Sequence, residues 1–224
     1  MIKAIFFDLF FTLIVPVYDE NINEYKILGL TPEEWEKYAE DDALYEERAM
    51  GFVKSEKEII DKIADIMPIK VDEETRGRLL MAREHRMKTA LQNVSPKILS
   101  SLKELRSKGI KICLISNADV IDSKYWNESP LSEFFDEAIF SCDVGLLKPG
   151  KRIYELAMEK TGYEPHQCMF VGDGGSSELK GAKSVGMQTV FTEMLDKKAP
   201  EQRERIMKDA DHIVEDLEEL VGIV

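Results

Sequence analysis

Seven polar residues sit at or near the ends of apolar runs: Asp8, Thr12, Ser116, Asn117, Lys148, Asp173 and Glu178. Asp8 closes the apolar run that begins at Ala4, and a carboxylate there is costly to bury unless something pairs with it or binds it. Asp173 closes a second run, Cys168-Met169-Phe170-Val171-Gly172, and Glu178 follows five residues later. Two or three carboxylates brought to one spot repel each other and raise each other's pKa unless a cation sits among them. Mg2+ suits such a place, since it takes a few carboxylates together with waters and substrate oxygens. Lys148, in Lys148-Pro149, offers a second positive charge. Each signal is weak alone, because Ser-Asn, Lys-Pro and Gly172-Asp173-Gly174-Gly175 are ordinary turn chemistry. Together they are a much stronger signal, with Asp8 placed where a catalytic carboxylate is expected.

Residues so far apart in the chain need a scaffold that gathers them. Ile110 to Ile115 reads as a strand stopping at Ser116-Asn117, and further strands are expected at Glu137–Ser141, Cys168–Val171, Met187–Phe191 and His212–Val214. Helices are expected between them: Lys151 to Gly162, Leu179 to Val185, and Asp216 to Leu220. Strand and helix alternating in this way predict βαβ units, hence a parallel sheet with right-handed crossovers. In such sheets ligands bind at the carboxyl ends of the strands, where all seven residues would lie.

Asp19 to Gln92 is different, with almost no strand signal and many Glu, Lys, Arg, Met and Leu residues. Thr31-Pro32-Glu33-Glu34 is a helix start with a capping box, and Ser55-Glu56-Lys57-Glu58 repeats it ahead of Ile59, Ile60, Ile63 and Ile66 on one face. Another helix begins at Asp72 or Glu73. Ser95-Pro96 opens a further helix that Gly109 ends. The expected fold is α/β, a doubly wound parallel sheet with an inserted α-helical cap of roughly four helices. Residues 1–15 and 93–224 form the core and 16–92 the cap. Arg48, Arg83 and Arg86 in the insert could reach an anionic substrate, but they read more simply as solvated charges on helix faces. Trp35 reads as a helix-surface or helix-packing residue.

The chain of 224 residues carries a formal net charge of −13, which argues against nucleic acid or an anionic membrane as partner. Cys113, Cys142 and Cys168 are far apart and form no disulfide framework. His85, His166 and His212 have no zinc-ligand spacing. Neither a signal-peptide cleavage site nor an apolar run of about 18 residues is present. A cytoplasmic monomer or homodimer acting on a small anionic substrate is expected.

The four motifs, in this order and spacing, resemble the haloacid dehalogenase (HAD) superfamily of hydrolases, in the branch with a helical cap after the first motif. Phe6-Phe7-Asp8-Leu9-Phe10-Phe11-Thr12-Leu13 is similar to the first motif, and Leu114-Ile115-Ser116-Asn117-Ala118 to the second. Val144-Gly145-Leu146-Leu147-Lys148-Pro149 is similar to the third, and Phe170-Val171-Gly172-Asp173 through Ala182 to the fourth. The resemblance covers essentially the whole chain and implies a HAD-like Rossmannoid core. It makes Asp8 a nucleophile that forms an aspartyl intermediate. Ser116 would donate a hydrogen bond to the transferring group, Asn117 would support the loop beside it, and Lys148 would neutralise charge. Mg2+ would be held by Asp8, the backbone carbonyl of Phe10, Asp173 and Glu178.

Two positions depart from the pattern. Phe10 stands where phosphatases of this type usually carry an aspartate acid/base, and it cannot titrate. Dehalogenases also lack that aspartate, so Phe10 points towards them, whereas the acidic Asp173 and Glu178 point to a metal-dependent phosphatase. Phe11 stands where a small residue is usual. Three readings follow: a Mg2+-dependent phosphatase of small phosphate esters, a 2-haloacid dehalogenase-like hydrolase acting at carbon, and a catalytically impaired regulatory protein that binds phosphate and metal.

Overall fold

A computed structural model describes residues 1–224. Six parallel strands form one sheet in the order β3-β2-β1-β4-β5-β6. β1 (Ala4–Phe7) lies at the centre, and all four of its residues are fully buried. This is why its sequence is apolar without alternation: both faces of the sheet are covered. Ile5 and Phe7 pack on one side with Ile98, Leu102 and Leu105, and Ala4 and Phe6 on the other with Ile153, Tyr154 and Ala157. Each large apolar side chain buried this way contributes about 1.5–3 kcal/mol.

No strand lies between β1 and β2, and the insert that follows β1 holds five helices: α1 (Glu24–Leu28), α2 (Pro32–Ala39), α3 (Asp42–Ala49), α4 (Glu56–Asp65) and α5 (Glu73–Gln92). The expectation was roughly four. Neither α1 nor α3 has a start among those read from the sequence; α1 is five residues, capped by Asn23 at one end and by Gly29 at the other. The capping box of α2 is present in both directions between Thr31 and Glu34. On α4, Ile59, Ile60 and Ile63 face inward with Trp35 and Leu79, but Ile66 lies beyond the last helical residue and is 44% exposed. Twenty residues make α5 about 30 Å long. Its Leu79 and Met87 join the insert's cluster, and its Ala90 and Leu91 join the sheet's.

The sheet then continues through α6 (Pro96–Ser107), β2 (Lys111–Ser116), α7 (Val120–Ser123), β3 (Glu137–Phe140), α8 (Ser141–Val144), α9 (Lys151–Thr161) and β4 (Cys168–Gly172). It ends with α10 (Glu178–Ser184), β5 (Gln188–Thr192), α11 (Pro200–Met207), β6 (His212–Val214) and α12 (Leu220–Ile223). The expected strands are all present within a residue or two. α7, α8 and α11 were not anticipated; the first two are a single turn each, too short for any periodic pattern. No helix is long and apolar enough to cross a membrane.

Candidate functional site

β1 lies between β2 and β4, with Phe7 in register with Leu114 on one side and Val171 on the other. The residue after β1 therefore emerges between the ends of both neighbours. Asp8 is that residue. Its amide donates to the Val171 carbonyl at 2.9 Å, which extends the ladder one step and fixes its backbone. A tight turn follows, in which the amides of Leu13 and Ile14 both donate to the Leu9 carbonyl. It folds Thr12 back, so that its hydroxyl donates to Asp8 Oδ2 at 3.1 Å. Phe11 adopts φ +61° in this turn, a left-handed conformation that disfavours a bulky residue. That explains why the position usually holds something smaller.

The other carboxylates come from the end of β4. Glu178, at the start of α10, folds back over Gly172, where a Cβ would sit 2.0 Å from its Oε1. The Gly174 amide donates to Glu178 Oε1 at 3.1 Å, and the Gly175 amide donates to Asp173 Oδ1 at 3.0 Å. Ser176 and Ser177 are both left-handed, at φ +48° and +52°. Strain of this kind persists where the surroundings hold it, often at functional sites. Asp8, Asp173 and Glu178 each present an oxygen within 4.8 Å of the others, and all three are buried. Three converging buried carboxylates form a donor set that fits a divalent cation of the Mg2+ type.

Lys148 bridges two of them, with Nζ 2.5 Å from Asp8 Oδ1 and 2.6 Å from Glu178 Oε2. Asn117 positions this lysine: its Nδ2 donates to the Lys148 carbonyl at 3.0 Å, and the Lys148 amide donates to its Oδ1 at 2.8 Å. Burial opposes the charge on Lys148, but Asp8 and Glu178 outweigh it and hold its pKa above the usual lysine value. Burial, reinforced by the charge of Asp8, pushes Glu178 up to about 8.

These groups open onto a cavity of about 570 Å³ between the sheet and the insert, lined by Asp8, Phe10, Asn117, Lys148, Asp173 and Glu178 among others. Thr12 and Ser116 do not line it. Thr12 reaches it through Asp8, while the fully buried Ser116 directs its hydroxyl to the Asn117 carbonyl at 3.5 Å. Phe10 lines the cavity and packs against both the sheet's and the insert's apolar clusters.

The insert's arginines correct the expectation of solvated charges. Arg48, Arg83 and Arg86 are 3%, 1% and 7% exposed, and all line the cavity. Each has found a carboxylate partner. Arg83 Nη2 lies 2.8 Å from Asp119 and 3.1 Å from Asp122, Arg48 Nε 2.9 Å from Asp119, and Arg86 Nη2 2.9 Å from Glu24. Arg86 and Glu24 are 62 residues apart, and no helical periodicity in a sequence reveals such a pair. Arg83 Nε and Nη1 are buried without a partner. Trp35, too, is fully buried.

Sequence reasoning missed Lys198. Its Nζ lies 2.5 Å from Asp173 Oδ2 and 2.6 Å from Asp196 Oδ2, on the loop after β5. Placement beyond the carboxyl end of a strand was the one available signal. Nothing in the chain distinguishes it from Lys197, whose side chain is 70% exposed against 7% for Lys198.

A family model described as haloacid dehalogenase-like hydrolase matches residues 2–186. A glyceraldehyde 3-phosphate phosphatase of Methanothermobacter thermautotrophicus is 34% identical over 114 residues. That stretch covers 50% of this chain, and the chain spans 50% of that relative's length. Among solved structures, a HAD family enzyme of Bacteroides thetaiotaomicron in complex with magnesium and inorganic phosphate superposes with a TM-score of 0.68. It is 19% identical, covering 90% of this chain and 98% of that one. L-2-haloacid dehalogenase of Xanthobacter autotrophicus, with chloropropionic acid covalently bound, gives 0.66 at 18% identity, covering 100% and 98%. At such identities the two structures speak for the fold alone.

Proposed function

The chain belongs to the haloacid dehalogenase-like hydrolases, and from that premise we propose that it is a Mg2+-dependent phosphatase of small phosphate esters. The observation that carries this reading is the buried trio Asp8, Asp173 and Glu178 beside Lys148. Three converging buried carboxylates carry more negative charge than the lysine between two of them offsets, and a divalent cation would relieve their repulsion. The phosphatase relative that acts on glyceraldehyde 3-phosphate, by its name, points the same way.

In this reading a carboxylate oxygen of Asp8 attacks phosphorus, the P–O bond to the leaving alcohol breaks, and an aspartyl phosphate forms. Water then cleaves that acyl phosphate and returns the carboxylate. Thr12 holds one Asp8 oxygen by its hydroxyl, which orients the other. Lys148 neutralises charge on nucleophile and substrate, and Asn117 keeps Lys148 in place. Ser116, buried beneath, supports the loop that carries Asn117. Asp8, Asp173, Glu178 and the Phe10 backbone carbonyl would hold Mg2+, which would supply positive charge between the anionic nucleophile and an anionic substrate. The insert closes over the cavity and limits water there.

Phosphate release from p-nitrophenyl phosphate, with Mg2+ and with chelator, tests the proposal. Release that needs the metal and disappears in Asp8→Asn is expected. Metal-independent chloride release from 2-chloropropionate would instead establish hydrolysis at carbon, the reading that Phe10 favours. Binding of Mg2+ with no turnover of either compound would establish the regulatory one.

A further inference from the structure

All six oxygens of the carboxylate trio already accept a hydrogen bond from the protein. Asp8 takes Lys148 and Thr12, Glu178 takes Lys148 and the Gly174 amide, and Asp173 takes the Gly175 amide and Lys198. Lys148 serves two carboxylates on the nucleophile side. Lys198 holds the third, and its side chain is as buried as that of Asp173, each 7% exposed. A divalent cation among these oxygens would lie within a few ångströms of the Lys198 ammonium. Like charges so close repel strongly even at an effective dielectric of about 20.

Lys198 also has somewhere else to go. Its second partner, Asp196, is two residues away on the same loop and has a 44% exposed side chain. An ammonium that gave up Asp173 would still be paired, nearer solvent, and would avoid the cost of an uncompensated buried charge. Asp173 would then be free to serve as a ligand, while Gly175 kept its other oxygen in place.

We propose that Lys198 is an internal cation that competes with the divalent metal for Asp173, so that metal loading is coupled to withdrawal of Lys198 onto Asp196. The inference rests on the metal-dependent reading of the site. It makes metal affinity a property of the loop after β5 as well as of the carboxylates.

Calorimetric titration of the full chain with Mn2+, at one pH, tests it on wild type, Lys198→Gln and Lys198→Arg. Removing the competing charge in Lys198→Gln should tighten binding on the order of tenfold. Lys198→Arg keeps the charge and should stay near wild type. A second readout on the wild-type protein needs no variant: acetic anhydride labelling of Lys198, followed by mass spectrometry, should accelerate at saturating Mn2+. Unchanged or weaker affinity in Lys198→Gln overturns the inference, and so does an equal gain in Lys198→Arg or labelling indifferent to metal. Each of those outcomes leaves metal-dependent hydrolysis standing. Absence of Mn2+ binding in all three proteins overturns both.

Discussion

At the scale of single residues, the site joins strong charge compensation to a lining residue, Phe10, that cannot titrate. Lys148 lies between Asp8 and Glu178 with its side chain 2% exposed. Lys148→Met leaves two buried carboxylates facing each other, and loss of one partner from a buried ion pair costs about 3–5 kcal/mol. A clear fall in thermal midpoint together with loss of turnover is expected, and calorimetry alongside the phosphate assay measures both. Phe10 has the opposite significance. It lines the cavity and has no proton to give, and general acid help is typically worth about 10²–10⁴-fold. If the chain is the phosphatase proposed above, it should hydrolyse p-nitrophenyl phosphate, whose leaving group needs no proton, far better than an alkyl or sugar phosphate. Phe10→Asp should narrow that gap by raising the alkyl rate, at some cost in stability because Phe10 packs against two apolar clusters. Equal rates on both esters in the wild type would contradict the argument.

At the scale of elements, function depends on how closely the helical insert approaches the sheet. One contact is between backbones: Gly51, just after α3, lies so close to α8 that a Cβ would be 2.0 Å from the Cys142 carbonyl oxygen. Gly51 also has φ +72°. Gly29 provides a control, since it too is left-handed, at φ +68°, but with nothing within 4 Å of a Cβ. Both alanine variants bear the conformational cost of about 1–2 kcal/mol. Only Gly51→Ala must also push the insert off the core, at about a further 1–3 kcal/mol. The difference between their thermal midpoints, with a raised KM in Gly51→Ala alone, isolates that contact. This is also the scale at which the sequence stops being informative. β1, the four motifs and the caps at Thr31 and Ser55 could be read directly, because each depends on neighbouring residues or on local periodicity. The contacts of Gly51 with Cys142, Arg83 with Asp119 and Lys198 with Asp173 depend on the path of the chain through space. Even a correct list of helices leaves α5 ambiguous, since Arg83 and Arg86 on its buried face lower its apolar contrast.

At the scale of the whole molecule, the three cysteines can report how the two apolar regions open. Cys113 and Cys168 lie on β2 and β4, the strands on either side of β1, and are fully buried, whereas Cys142 lies on α8, against the insert, and is 8% exposed. Burial pushes each thiol from 9.0 up to about 12. Because the folded pKa is raised, the stability tied to the protonated thiols is fully present below pH 9 and is lost as pH rises towards 12. At pH 8 only about one in 10⁴ of each thiol is ionised in the folded state, and the thiolate is the reactive form. Labelling by a disulfide reagent at pH 8 therefore has to proceed through opening of the structure. The two strand cysteines need the central sheet to come apart and should be modified at one shared, slow rate set by global unfolding. Cys142 needs only the insert to lift from α8, so it should react sooner. A ligand that draws the insert onto the cavity should slow Cys142 and leave the others unchanged unless it also stabilises the whole fold. Inorganic phosphate with Mg2+ is the simplest such ligand, and peptide-resolved mass spectrometry separates the three sites. If all three thiols reacted together at every ligand concentration, the insert and the sheet would be opening as one unit. An insert that closes over the cavity and reopens on each turnover is incompatible with that result.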